Sequence, residues 1–158
     1  MGKVLKSFNH GYAGAIARNM DDVVVAFANR STGEMAFGIP VALSTDRSGV
    51  VPFDGSTHTA VDFVGVTVRN PSKTPGAYGS NEGSYAKGEL VDVLVRGHIV
   101  VSIQGNPARG DVLAIRTSDS KFSSGSGTGL VTLTNAHVSA PADLNNLAEI
   151  VLNNRNLV

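Results

Sequence analysis

The sequence contains no cysteine and no tryptophan. Without cysteine there is no disulfide framework, no thiolate metal site and no thiol nucleophile. Charge is scarce: 16% of residues are charged, against about 25% in an average globular chain. Thirteen basic residues are balanced by thirteen acidic ones, so the formal net charge is zero. Such a chain lacks the clustered Lys and Arg that neutralise phosphates, which argues against wrapping nucleic acid. No apolar run approaches the roughly 20 residues of a membrane-spanning helix. Met1 to His10 (MGKVLKSFNH) carries no apolar stretch of signal-peptide length. Met1-Gly2 does not open a myristoylation signal, because Lys6 stands where Ser or Thr is needed. The sequon Asn29-Arg30-Ser31 is expected to be fortuitous without a secretion signal. These absences leave a soluble globular domain, made in the cytoplasm, with a surface poor in charge.

Constellations that carry chemistry are missing as well. The four histidines, His10, His58, His98 and His137, never fall in an HxH or HExxH spacing. Asp21-Asp22 is the one adjacent acidic pair, and it reads as solvated residues at a strand entry. Asp92 lies between Val91 and Val93, facing away from a valine face. Serine is plentiful, yet GxSxG is absent. Gly125, Gly127 and Gly129 lack the Gly-Lys-Ser/Thr ending of a phosphate-binding loop and read as a loop tip. No catalytic residue, cofactor or metal is therefore expected.

What the chain has in abundance is valine and glycine. Val occurs 21 times against 11 Leu, and Gly 18 times. β-Branched side chains suit a pleated surface and disfavour helices. Val23 to Ala28 is a short apolar run. Phe37 to Leu43 (FGIPVAL) places Pro40 at an edge or a strand start. In Asp62 to Arg69, Val64, Val66 and Val68 alternate onto one face. Val91, Val93 and Val95 alternate in the next run, and Ile99, Val101 and Ile103 in the one after Arg96-Gly97. That dipeptide reads as a tight hairpin turn. Asp111 to Thr117, Leu130 to Thr134 and Glu149 to Leu152 complete about eight strands. Asp143 to Ile150 is expected to be a polar loop entering the last strand; the alternative is one or two helical turns after Pro141, capped by Asp143. The expected fold is all-β, a single-domain β-sandwich or small β-barrel with long loops.

Three segments read as loops: Ser44 to Ala60, Asn70 to Lys87 and Ser118 to Gly129. Long loops in a small domain are uncommon unless they bind something. Tyr78 and Tyr85, in the second, are candidate interface anchors, since Tyr joins apolar area to a hydroxyl. Residues 1–20 contain Lys3, Lys6 and Arg18 and no acid before Asp21. With Gly2, Gly11 and Gly14 they read as an extended basic N-terminal arm; the alternative is a strand added to the chain's own sheet.

In the order of its segments the chain resembles the structural cement (capsid decoration) proteins of tailed bacteriophages. The likeness rests on GYAGAIAR (Gly11 to Arg18), FGIPVAL (Phe37 to Leu43) and FVGVTVR (Phe63 to Arg69). It continues through YAKGELVDVLVRGHIVVSI (Tyr85 to Ile103) and ARGDVLAI (Ala108 to Ile115). The resemblance implies a β-rich domain, residues 21–158, behind an arm of residues 1–20. It implies a place on the outer capsid surface, bridging major capsid proteins, after synthesis in the host cytoplasm. Self-association is expected, a homotrimer before a homodimer, with no direct nucleic-acid or membrane partner. Lys3, Lys6, Tyr12, Arg18, Tyr78 and Tyr85 are the candidate capsid or subunit contacts. Catalytic residues are not part of the pattern.

Three rivals stand beside this reading. A glycan- or host-surface-binding module would need exposed aromatics, and the chain has three Tyr, six Phe and no Trp. A β-barrel hydrolase or isomerase would need His and carboxylates converging in a pocket. A head–tail joining protein would be structural but present in far fewer copies.

Overall fold

The computed structural model describes residues 9–73 and 83–153, apart from the side chains of Asn19 and Met20. It is all-β. The strands are β1 (Ile16–Ala28), β2 (Met35–Ala36), β3 (Pro40–Leu43), β4 (Val50–Pro52), β5 (Phe63–Thr67) and β6 (Ser84–Tyr85). They continue as β7 (Leu90–Ser102), β8 (Val112–Arg116), β9 (Phe122–Ser124), β10 (Leu130–Ala140) and β11 (Leu147–Leu152). Nine of them form one curled antiparallel sheet in the order β4-β3-β5-β7-β11-β10-β8-β9, with β1 also on β7, and β2 and β6 form a separate ribbon. Pro40 opens β3, where its missing N–H costs the ladder least.

The 13-residue strand β7 is the spine. β1 runs antiparallel to it from Ile16↔Ile99 to Ala28↔Leu90. β5 pairs with Leu94 and Val93, and β11 with Gly97 through Ser102. The backbone hydrogen bonds explain how one strand takes three partners. The Asp92 carbonyl accepts from Val68, beyond β5, whereas Val100 exchanges bonds with Gly14 and Ala15 beside β1. Even-numbered residues thus face β5 before Arg96-Gly97 and face β1 after it. β5 and β11 consequently lie end to end on one edge of β7, with β1 along the other.

The change of phase is a bulge at Gly97. Arg18↔His98 and Val23↔Arg96 are successive pairs, so Asn19 through Asp22 all stand opposite Gly97. Gly97 has φ +121°, a conformation that side-chain-bearing residues rarely adopt, and a Cβ there would collide with the Asp22 carboxylate. Asp22 Oδ1 accepts the His98 amide at 3.2 Å. The expected hairpin is therefore one continuous strand. Asp22 is folded into the sheet instead of being solvated at a strand entry.

Two apolar clusters occupy opposite faces. One gathers Val91, Val93 and Val95 with Val41, Val50, Val64, Met35, Phe37 and Tyr85. Val23, Val25 and Phe27 pack against it from β1. The other gathers Leu94, Ile99, Val101 and Ile103 with Phe53, Phe63, Leu113, Ile115, Phe122, Leu133, Ile150 and Leu152. Both alternating sets of β7 are therefore buried, one on each side. Isolated bridges, Asn29↔Val50 and Ile103↔Phe122, draw the outlying strands back toward β1 and β7, so each half of the sheet curls around its cluster. Val64, Val66 and Val68 do not share a face. Val41↔Gly65 is followed by Ala42↔Phe63, which leaves Val64 as an extra residue turned into the first cluster while Val66 enters the second. The loops are more structured than expected: β4 lies within Ser44 to Ala60 and β9 within Ser118 to Gly129. The polar loop expected over Asp143 to Ile150 is shorter: Asp143 to Asn146 turns directly into β11, which begins at Leu147, before the expected Glu149.

Candidate interaction surface

The described part of the N-terminal segment is fastened to its own chain. The His10 amide donates to Asp143 Oδ2 at 2.9 Å, and His10 Nε2 lies 2.9 Å from the Pro141 carbonyl. Burial alone would raise the Asp143 pKa; amides of His10, Leu147 and Asn145 outweigh it and hold the carboxyl below its ordinary range. Gly14 donates to the Val100 carbonyl at 2.8 Å, Val100 donates to Ala15, and Arg69 donates to Gly14. The backbones meet so closely that a Cβ on Gly14, at φ +81°, would stand 2.9 Å from the amide nitrogens of Arg69 and Gly38. The GYAGAIAR stretch is thus a backbone crossing that needs glycine.

Two candidate contacts flank that crossing. The Arg69 guanidinium lies 4.4 Å from the centre of the half-buried Tyr12 ring. Arg18 Nε donates to Glu149 Oε1 at 2.8 Å, and Ser139 Oγ donates to the same oxygen at 3.0 Å. The Glu149 side chain is 10% exposed and that of Arg18 57%, so the carboxylate is held inside while much of the guanidinium faces out. Lys3, Lys6 and Tyr78 lie outside the described residues.

Tyr85 is placed differently. It is completely buried, its ring meets Phe37 edge-on at 5.4 Å, and its hydroxyl donates to the Val68 carbonyl at 2.6 Å. Burial, with the charge of Asp92, pushes its pKa up to about 12. Its area is used inside the chain. Sequence reasoning missed its neighbour Asn29, which is 1% exposed. Asn29 Nδ2 donates to the carbonyls of Gly33, Tyr85 and Ala86, and Oδ1 accepts from Ser31. A side chain so enclosed is closed to glycosylation. An Asn after an apolar run, two residues before Ser, was the available signal for a buried Asx turn.

Among the described residues, the exposed large apolar side chains are Val24, Val61, Leu90 and Leu144. Val24 is 41% exposed and Leu90 66%, on the β1–β7 face that also carries Ala26 and Asp92. A polar groove of about 560 Å³ is lined by Leu43, Ser44, Thr45, Arg47, Thr57, His58, Val61 and Asp62. It contains no Tyr or Phe on which a sugar ring could stack. Among the described residues no group of three or more His, Asp or Glu is placed to hold a metal ion. No described helix is long and apolar enough to cross a membrane.

Comparison with known proteins places this architecture. A chain from the capsid of Myoviridae phage XM1 superposes with a TM-score of 0.76 at 17% identity, covering 97% of this chain and 96% of that one. The head fiber gp8.5 N base of bacteriophage phi29 gives a TM-score of 0.44 at 14% identity, covering 86% of this chain and 99% of that one. No protein with a curated description matches. Residues 3–153 match the family described as structural cement protein (E217 gp24/Pam3 gp6), and the chain belongs to that family of phage virion structural proteins.

Proposed function

We propose that the chain binds the outside of the phage head and bridges neighbouring major capsid proteins. The observation that carries this reading is the family match over residues 3–153. The family is one of structural virion proteins, and in this reading the chain's role is mechanical. Many modest contacts repeated over a lattice give large avidity without one tight interface. The chain works as a homo-oligomer, a trimer before a dimer, made in the host cytoplasm and recruited to the shell. Lys3, Lys6 and the exposed part of Arg18 supply cations to the capsid or subunit contact, and Tyr12 and Tyr78 supply aromatic surface. Tyr85 serves that surface from inside, by fixing the strand from which the segment carrying Tyr78 departs.

The test is reconstitution. Heads assembled without the chain are mixed with purified protein and imaged. Density is expected on the outer shell at hundreds of positions, and decorated heads should keep packaged DNA at temperatures that open bare ones. Density confined to about a dozen copies at the head–tail junction, or bare heads as durable as decorated ones, would overturn the reading.

A further inference from the structure

β1 has one partner strand, β7, among the described residues, although it is 13 residues long. Among the described residues no strand pairs with the middle of its outer edge. Directly opposed residues in an antiparallel pair either exchange both backbone bonds or neither. The Asp92 carbonyl is turned toward Val68, so its β1 partner Ala26 makes no bond to β7. The amide and carbonyl of Ala26, and by alternation those of Val24, point to the open edge. At Asn29 the edge is already closed by the bridge to Val50. Both faces of this stretch are apolar. Val24, Ala26 and Leu90 lie on one side, and the half-buried Val23, Val25 and Phe27 on the other. Acidic groups border it: Asp22, Asp92 and Asp21, the last already paired with Arg96 at 2.7 Å. One Asp22 oxygen is buried without a hydrogen-bond partner among the described residues.

We propose that a strand from residues Met1–Phe8 of a second copy completes this edge. That segment reads Lys3-Val4-Leu5-Lys6 at its centre. In an extended strand the adjacent Val4 and Leu5 present one apolar side chain to each face, and the flanking lysines meet the acidic border. The complementarity also accounts for the acid-free composition of the segment ahead of Asp21.

The donor is a second copy because the chain's own segment falls short. His10, next to Asn9, is held at the turn that precedes Leu147, level with Ser102, whereas Val24 is level with Leu94. From Ser102 to Leu94 is eight residues of β7, or about 26 Å of strand. The five residues from Val4 to Asn9 reach about 17 Å. The path from Ala15 back to Asn9 also leads away from β1.

The absence of cysteine makes the test clean, because each introduced thiol is unique. Leu5→Cys and Val24→Cys chains are purified separately, mixed and oxidised; Val4→Cys with Ala26→Cys covers the adjacent register. A disulfide-linked pair is expected, and Lys3→Glu with Lys6→Glu should lower its yield about tenfold. Val61→Cys, 77% exposed and on the Ala60–Asp62 turn, is the control for random collision. Three results would overturn the proposal. They are yields no higher than the control for both registers, yields indifferent to charge reversal, and a doubly substituted chain that closes on itself when diluted. The measurement uses purified chain without heads. Its failure leaves the capsid reading standing, and a chain that cross-links but does not decorate heads removes that reading alone.

Discussion

Tyr85 is completely buried, and both its ring and its hydroxyl find partners inside the chain. Its apolar ring and hydroxyl make it a candidate interface anchor; in the structure the ring packs on Phe37 and the hydroxyl donates to Val68. The partner is its own core, because β6 pairs with β2 and turns the ring inward. Tyr85→Phe should cost about 1–2 kcal/mol in urea unfolding, since the Val68 carbonyl loses its donor while the shape is kept. The alkaline limb carries a signature. The folded chain holds the Tyr85 proton more tightly, with a pKa of about 12 against an ordinary 10.0. Its stabilisation is therefore intact below pH 10 and is lost as pH rises through about 12. The wild type should weaken over that window more than the Phe variant does; parallel curves would show that the hydroxyl is not shielded.

At the scale of elements the informative case is Arg96-Gly97. The sequence shows two alternating sets, Val91, Val93, Val95 and Ile99, Val101, Ile103, separated by a glycine. A hairpin and a bulge write the same local pattern, because both restart the alternation at a residue with positive φ. What separates them is nonlocal: four β1 residues bulge opposite Gly97 and seat Asp22 against it. Strand identity and facing were legible within each half of β7, and its continuity was not. Glycine also broke the reading of β5, where Val64 slips out of phase beside Gly65. Gly97→Ala should therefore cost about 2–4 kcal/mol, combining an unfavourable φ with a clash against Asp22. Gly105→Ala, whose added Cβ would meet nothing, carries only the backbone term of about 1–2 kcal/mol. Equal midpoints in guanidinium would refute the bulge as the source of the difference. As the strand buried on both faces and paired on both edges, β7 should also hold the slowest-exchanging amides, at Val93, Leu94, Ile99 and Val101. Faster exchange there than in β10 would contradict its role as spine.

Over the whole molecule, the two apolar clusters share β7, so neither half of the sheet can open alone, and unfolding should be a single transition. The N-terminal segment joins this unit at a definable point. The described hydrogen bonds begin at Asn9 and His10, and the backbone crossing lies at Gly14 and Ala15. Composition marked residues 1–20 as one basic, glycine-rich stretch. Composition carries no information about which backbone groups find partners, and so could not divide it. The division leads to a pair of truncations. Removing residues 1–8 should leave the unfolding midpoint within about 0.5 kcal/mol of wild type. Removing residues 1–15 deletes three backbone–backbone bonds, Gly14 to Val100, Val100 to Ala15 and Arg69 to Gly14, together with the His10 bonds to Asp143 and Pro141. In the intact chain Val100 is 3% exposed, so these bonds are shielded from water. At about 0.5–1.5 kcal/mol per lost bond, that truncation should lose about 2–4 kcal/mol. Sedimentation and head binding of the shorter truncation then report on assembly with folding held constant. A chain lacking residues 1–8 that stays folded but sediments as a smaller species and decorates heads poorly would assign those residues to assembly. One that decorates heads at wild-type levels would confine the N-terminal contribution to the crossing at Gly14.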